Sequence, residues 1–178
     1  MNAPDAPLQA IRESDLAEVL AVNEANQPEV GPLDAARLEA LWRGAAWAPC
    51  VRGSSVRGSS VRGRAGDLVG FALLLREGAD YASPNYRWFA ERHERFLYVD
   101  RIAFLPAARG LGLGRAVYEG ALERCRELDV PVLCAEVNTL PPNPASLAFH
   151  ERLGFESIER RRPYAPDAEV VMLERRVR

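Results

Sequence analysis

The chain has 178 residues, of which 48% are hydrophobic and 27% charged, and a formal net charge of −2. That length buries one sizeable core, and the composition is that of an ordinary globular protein, which excludes collagen-like, disordered and disulfide-scaffold classes. A near-neutral balance gives no general attraction to nucleic acid or anionic lipid, and Arg160, Arg161 and Arg162 read as a solvated strand or turn.

All 23 basic residues are arginine, so the chain has no lysine side chain of its own to modify. Cys50, Cys125 and Cys134 are odd in number and set in apolar runs, the pattern of buried free thiols in a reducing compartment. No apolar run approaches the ~18 residues of a membrane span, and MNAPDAPLQA lacks a basic-then-apolar leader, so a cytoplasmic setting is expected.

In chain order, residues 1–7 read as a flexible start and 8–178 as a single domain. Leu8 to Arg12 is a strand candidate; Ser14 is placed to cap a helix from Asp15 to about Asn26, with Leu16, Val19, Leu20 and Asn23 on one face. Pro28, Gly31 and Pro32 break it, and Asp34 to about Arg43 repeats the pattern through Leu38, Leu41 and Trp42. Strands are expected at Trp47 to Val51 and Asp67 to Leu75. Between them VRGSS occurs twice and VRG once, over 51–63. Repeats of five residues are too short for a solenoid, and the segment reads as an inserted hairpin tip. The alternative is an arginine-bearing arm for nucleic acid or an acidic partner.

Arg76 to Glu94 gives no clear period. Its Tyr81, Tyr86, Trp88 and Phe89 suit either a satellite core under a long loop or a wall of an acceptor pocket. Leu97 to Leu105 is the central strand, closed by Pro106. The segment PAARGLGLGRAVYEG, Pro106 to Gly120, then leads into a helix from Arg115 to Leu128 with apolar Ala116, Val117, Ala121, Leu122, Cys125 and Leu128. Pro131 to Val137 is a second buried strand, making a parallel strand-helix-strand crossover. Asn143 to Leu153 is a helix stopped by Gly154, and Ser157 to Arg162 with Glu169 to Arg176 forms a closing antiparallel pair.

The chemistry concentrates after the central strand. Gly110, Gly112 and Gly114 let the main chain turn tightly and point N–H groups at a bulky anion. The first turn of the following helix adds unpaired donors and the positive end of its dipole, and Arg109 and Arg115 add formal charge. A pyrophosphate fits those demands. A dinucleotide fold needs a glycine at the sixth position, which here holds Arg115 or Val117. A P-loop needs Gly-Lys-Ser/Thr, and the chain has no lysine. A glycine-rich turn that merely links strand to helix is the other reading of this segment alone.

The arrangement Arg109, Gly112, Gly114 resembles the acyl-CoA loop of the GNAT N-acetyltransferase superfamily. NPASLAFHERLGF, Asn143 to Phe155, adds a second resemblance: Asn143, Ser146, Phe149, His150, Gly154 and Phe155 fall on that superfamily's downstream pattern, with His150 where tyrosine is usual. SPNYRWF is similar to a little-characterised bacterial branch.

The resemblance implies a mixed α/β fold, a GNAT-type acyl-CoA N-acyltransferase with splayed central parallel strands and the pantetheine arm between them. Its implied cofactor contacts are the main chain of Ile102, Ala103 and Phe104, the amides of Arg109, Gly110, Leu111, Gly112, Leu113, Gly114 and Arg115, and Asn143 and Ser146. Asn143 also suits a simple helix cap. The implied reaction is direct transfer of acetyl from acetyl-CoA to a primary amine of a small molecule or peptide, with no metal. It needs a base, an oxyanion donor and a proton for the thiolate. Glu136 and Asp100 are the candidate bases, Glu136 preferred. His150 is the candidate proton donor, or else it packs over the cofactor without donating. The alternative function is a non-catalytic CoA-binding sensor or interaction module. A small-molecule or peptide amine is thus the expected partner, with no nucleic acid, no membrane and a homodimer as the common assembly.

Overall fold

The computed structural model describes residues 8–53 and 66–177. In chain order the elements are β1 (Gln9–Ala10), α1 (Leu16–Glu24), α2 (Ala35–Gly44), β2 (Pro49–Arg52), β3 (Leu68–Arg76), α3 (Pro84–Ala90), β4 (Leu97–Phe104), α4 (Leu113–Glu127), β5 (Val132–Leu140), α5 (Pro144–Arg152), β6 (Glu156–Ala165) and β7 (Ala168–Arg176). The seven strands form one mixed sheet in the order β1-β2-β3-β4-β5-β7-β6. The chain divides into two compact units. One holds the residues up to Leu74 together with Arg101–Ala121; the other holds Leu75–Asp100 and the chain from Leu122 on.

In the first unit, Gln9 lies opposite Cys50 and Cys50 opposite Phe71, so β1, β2 and β3 run antiparallel. β1 is only two residues long, and Trp47 makes a single bridge to Leu74 ahead of β2. The first helix is not capped by Ser14. A short 3-10 turn, Glu13–Asp15, precedes α1, and the Asp15 carboxylate accepts from the Arg12 N–H at 2.9 Å. Arg52 then pairs with Asp15 at 2.8 Å. Asp34 caps α2, its Oδ1 accepting from the Arg37 N–H at 2.8 Å. Val19, Val22, Leu38 and Leu41 are buried with the apolar β3. Asn23, fully buried on the apolar face of α1, is satisfied there: its Oδ1 accepts from Arg101 Nη1 at 2.8 Å and its Nδ2 donates to the Gly31 carbonyl at 3.2 Å. The expectation for the VRGSS tip falls almost wholly on residues outside those described.

In the second unit, β4 and β5 are parallel, with Leu97 opposite Leu133 and Tyr98 opposite Cys134. β5 continues antiparallel to β7 from the Val132–Arg176 pair to the Leu140–Glu169 pair, and β6 folds back on β7 through Pro166 and Asp167. The segment without a clear period contains a helix. Ser83 caps α3 by accepting from the Tyr86 N–H, and Pro84 fills the first turn, where its missing N–H costs nothing. Tyr86 and Phe89 bury their rings against Phe96 and Tyr98, with centroids 5.4 to 6.4 Å apart. The Tyr86 hydroxyl donates to the Arg76 carbonyl at 2.7 Å. These aromatics form a packed core around α3, the first of the two alternatives left by the sequence. All three cysteines are buried and free, and burial pushes the Cys125 thiol up to about 12.

Candidate functional site

The glycine loop belongs to the first unit. β4 ends at Phe104, the Leu105 N–H donates to the Val69 carbonyl at 2.8 Å, and Pro106–Ala108 makes one 3-10 turn. Gly110 and Gly112 follow with φ of 76° and 79°, a left-handed backbone that costs other residues about 1–2 kcal/mol each. A Cβ built at Gly110 would meet nothing within 4 Å, so conformation and not crowding selects glycine there. The Gly112 carbonyl accepts from the Ala116 N–H at 3.1 Å. α4 therefore starts at Leu113, two residues before the expected Arg115, and Gly114 lies inside its first turn. The amides of Leu113, Gly114 and Arg115 thus precede the first intrahelical bond, the position from which a 15-residue helix presents donors to an anion.

Packing holds that loop from below. Ala108 and Leu113 are buried with Val51 and Val69, and Leu8, Phe104, Leu105 and Leu111 pack around them. The Arg109 N–H is spent on the Pro106 carbonyl at 3.2 Å, so the donor series begins at Gly110. Arg109 sends Nη2 to Asn26 Oδ1 at 2.7 Å and Nε to the Phe104 carbonyl at 3.4 Å, and Arg115 pairs with Glu119 at 2.7 Å. Both keep their positive charge near the loop, but through its edges. Ile102, Ala103 and Phe104 lead into it along β4, with Ala103 buried and the other two half-buried. These features fit the diphosphate of an acyl carrier.

The second unit carries the titratable side chains. Glu136 Oε1 on β5 accepts two hydrogen bonds, from the Tyr98 hydroxyl at 2.8 Å and from Asn85 Nδ2 at 3.1 Å. Tyr98 is fully buried. Burial first, then the Glu136 and Asp100 charges, push its phenol well above the usual range, so it stays a donor. Asp100, two residues along β4 and hence on the same face as Tyr98, is half-buried. Of the two expected carboxylates, Glu136 is the one held directly by this network. Neither Asn85 nor Tyr98 stands out in the sequence; the Ser83-Pro84 pair, a helix-start signal, was the one local clue to α3.

Asn143 caps α5, its Oδ1 accepting from the Ser146 N–H at 3.2 Å. One turn on, His150 Nδ1 donates to the Ser146 carbonyl at 2.8 Å, with the Ser146 hydroxyl 3.4 Å away. The imidazole is 5% exposed and meets the rings of Phe149 and Phe155 edge-on at 5.4 and 5.2 Å. Burial lowers its pKa, partly offset by the Ser146 bond. A neutral ring with its hydrogen on Nδ1 has none to give from Nε2, so this geometry favours packing over the expected proton donation.

A seven-stranded mixed sheet with a parallel β4–β5 pair and a strand-loop-helix at the end of β4 is the α/β architecture expected of an acyltransferase. The Acetyltransferase (GNAT) family model matches residues 19–155, and the chain belongs to that family. Its members transfer acetyl from acetyl-CoA to nitrogen, so the chain is an N-acetyltransferase. Among solved structures it is similar to the ribosomal-protein-S18-alanine N-acetyltransferase from Escherichia coli, with 17% identity and a TM-score of 0.70 over 96% of this chain and 93% of that one. It is likewise similar to Arabidopsis thaliana NAA60 in complex with acetyl-CoA, with 13% identity and a TM-score of 0.74 over 96% and 98%. Ard1 from Thermoplasma volcanium gives 17% and 0.72 over 97% and 98%. The comparison with curated proteins finds no match. Among the described residues no helix is long and apolar enough to cross a membrane, and no three His, Cys, Asp or Glu residues cluster as a metal site.

Proposed function

We propose that the chain transfers acetyl from acetyl-CoA directly to a primary amine of a small molecule or peptide, with Glu136 as the base. The observation that carries the assignment is Glu136 itself: an acidic side chain on β5 whose Oε1 is fixed by two neutral donors. When bound, acetyl-CoA supplies the thioester carbonyl that the amine attacks. The amides of Gly110 to Arg115 would hold its diphosphate, and Asn143 and Ser146 at the start of α5 are the residues that would meet its arm. Glu136 would accept the ammonium proton, directly or through one water, and so free the nitrogen lone pair; as the C–N bond forms and the C–S bond breaks, CoA leaves as the thiolate and takes up the second proton that the amine nitrogen loses. His150 takes part as a neutral, packed ring.

A peptide amine, the chain N-terminus included, is the first acceptor to test, because the similar structures include two enzymes named as ribosomal-protein-alanine N-acetyltransferases. A cytoplasmic setting and a homodimer complete the reading. The test is mass spectrometry of pooled N-terminal peptides and small amines incubated with acetyl-CoA, looking for a gain of acetyl. Transfer to one class identifies the acceptor. Tight acetyl-CoA binding with no transfer to any amine would instead support a non-catalytic CoA-binding module, which the neutral His150 at the family's tyrosine position would suit.

A further inference from the structure

The helix α3 carries a buried amide that neither the glycine loop nor the α5 motif requires. Asn85 is 1% exposed, its Nδ2 lies 3.1 Å from Glu136 Oε1, and among the described residues its Oδ1 is buried without a hydrogen-bond partner. A buried unpaired carbonyl opposes folding, and an apolar side chain such as leucine, branched at the same carbon, would avoid that cost. The asparagine is therefore not explained by packing.

Its orientation has one chemical meaning. With the amide turned the other way, Oδ1 would face a carboxylate oxygen, two acceptors in contact; with Nδ2 forward, the bond favours the ionised acid. The Tyr98 hydroxyl reaches the same oxygen from β4 at 2.8 Å. Two donors on Oε1, from two different elements, fix the rotation of the carboxyl group. We infer that Asn85 is a positioning residue which, with the Tyr98 hydroxyl, holds Glu136 in the orientation and the ionised form that a base requires. α3 thereby becomes part of the reaction machinery and not only a packing element.

The site of Asn85 is itself held. Ser83 starts the helix, and Tyr86 in the next position is anchored at both ends of its hydroxyl, donating to Arg76 and accepting from the Ala79 N–H at 2.9 Å. Other charged or titratable groups around this cluster are Asp100 on β4, Tyr81 ahead of α3, Cys134 on β5, which feels Glu136 and Glu174, and Arg161 on β6, which donates to the Pro84 carbonyl at 3.4 Å. The two neutral donors on Oε1, Asn85 and Tyr98, both favour the ionised form of Glu136.

This inference rests on Glu136 being the base, and the experiment separates the two. Asn85→Leu and Asn85→Asp are compared with the native chain and with Glu136→Gln, by kcat and KM across pH and by the carbon-13 carboxyl titration of Glu136, assigned through Glu136→Gln. For Asn85→Leu, kcat falls about tenfold or more at neutral pH with KM for acetyl-CoA unchanged, as expected for a misplaced base. The acidic limb of the rate profile and the Glu136 titration both move to higher pH, and Asn85→Asp moves them further. A Glu136 titration unmoved in the folded Asn85→Leu and Asn85→Asp variants overturns the inference. Full activity in Glu136→Gln overturns the base assignment, while the carboxyl titration still reports on Asn85 whether or not any amine is acetylated.

Discussion

In the glycine loop the reactive groups are main-chain amides, whereas around Glu136 they are side chains gathered from α3, β4 and β5. The loop needs only a conformation: two left-handed glycines and a helix start, on an apolar floor. The carboxylate cluster needs identity at three separate positions, each held by its own element. Main-chain sites are lost by adding a Cβ, and side-chain sites by removing an atom. The two regions thus differ in how they fail and in which kinetic constant reports it.

The largest expected effect is Glu136→Gln, which keeps the shape and removes the proposed base. It should lower kcat by about 10²–10⁴-fold and leave acetyl-CoA affinity, measured by calorimetry, where it was. If affinity falls instead, the separation between binding and chemistry drawn above is broken. Gly112→Ala attacks the other region. Placing alanine at φ 79° costs about 1–2 kcal/mol, which appears as a roughly tenfold or greater loss in acetyl-CoA affinity with kcat at saturation little changed.

Asp15→Asn probes the frame of the first unit. Burial raises the Asp15 pKa, but the Arg12 amide and the Arg52 guanidinium outweigh it and hold the carboxyl below its usual 3.8. A depressed folded pKa means stability that is complete above 3.8 and lost as pH falls through the lower folded value. The native chain should therefore lose stability in that acidic window, and Asp15→Asn should be less stable at neutral pH by about 1–3 kcal/mol with a flatter acid limb in urea unfolding. The smallest effect is expected at His150. Its pKa lies below 6.5 through burial, so the unfolded chain binds the proton more readily. Stability is complete above pH 6.5 and declines as pH falls below it, and His150→Phe should remove that decline in thermal unfolding followed between pH 7 and 5.

The contrast between the two regions also decides what could be read in advance. The glycine loop is local: its glycines, two arginines and the helical period that follows all lie between Arg109 and Leu128, and Asn143 to Phe155 is likewise contiguous. The Asn85–Glu136 bond joins positions 51 apart, and no spacing rule links them. α3 stayed hidden because it has seven residues, rich in aromatics with modest helix propensity, and is stabilised by burying Tyr86 and Phe89. The strand expected from Leu8 to Arg12 is confined to Gln9–Ala10, with one further hydrogen bond from Ile11 to Ala48, because the chain then enters the 3-10 turn at Glu13–Asp15. Buried Asn23 looked like one more residue on an apolar stripe; its partner Arg101 lies 78 residues away.

Phe104 shows how far the loop's dependence extends along the chain. A Cβ at Gly70 would come within 2.0 Å of the Phe104 ring, which lies flush on the bare backbone of β3. A single methyl there would have to evict the ring and so shift the last rung of β4, just where the chain bends into the glycine loop. A neutral-looking Gly70→Ala, 40 positions upstream and touching no ligand, would thus surface in assays as a cofactor-affinity defect.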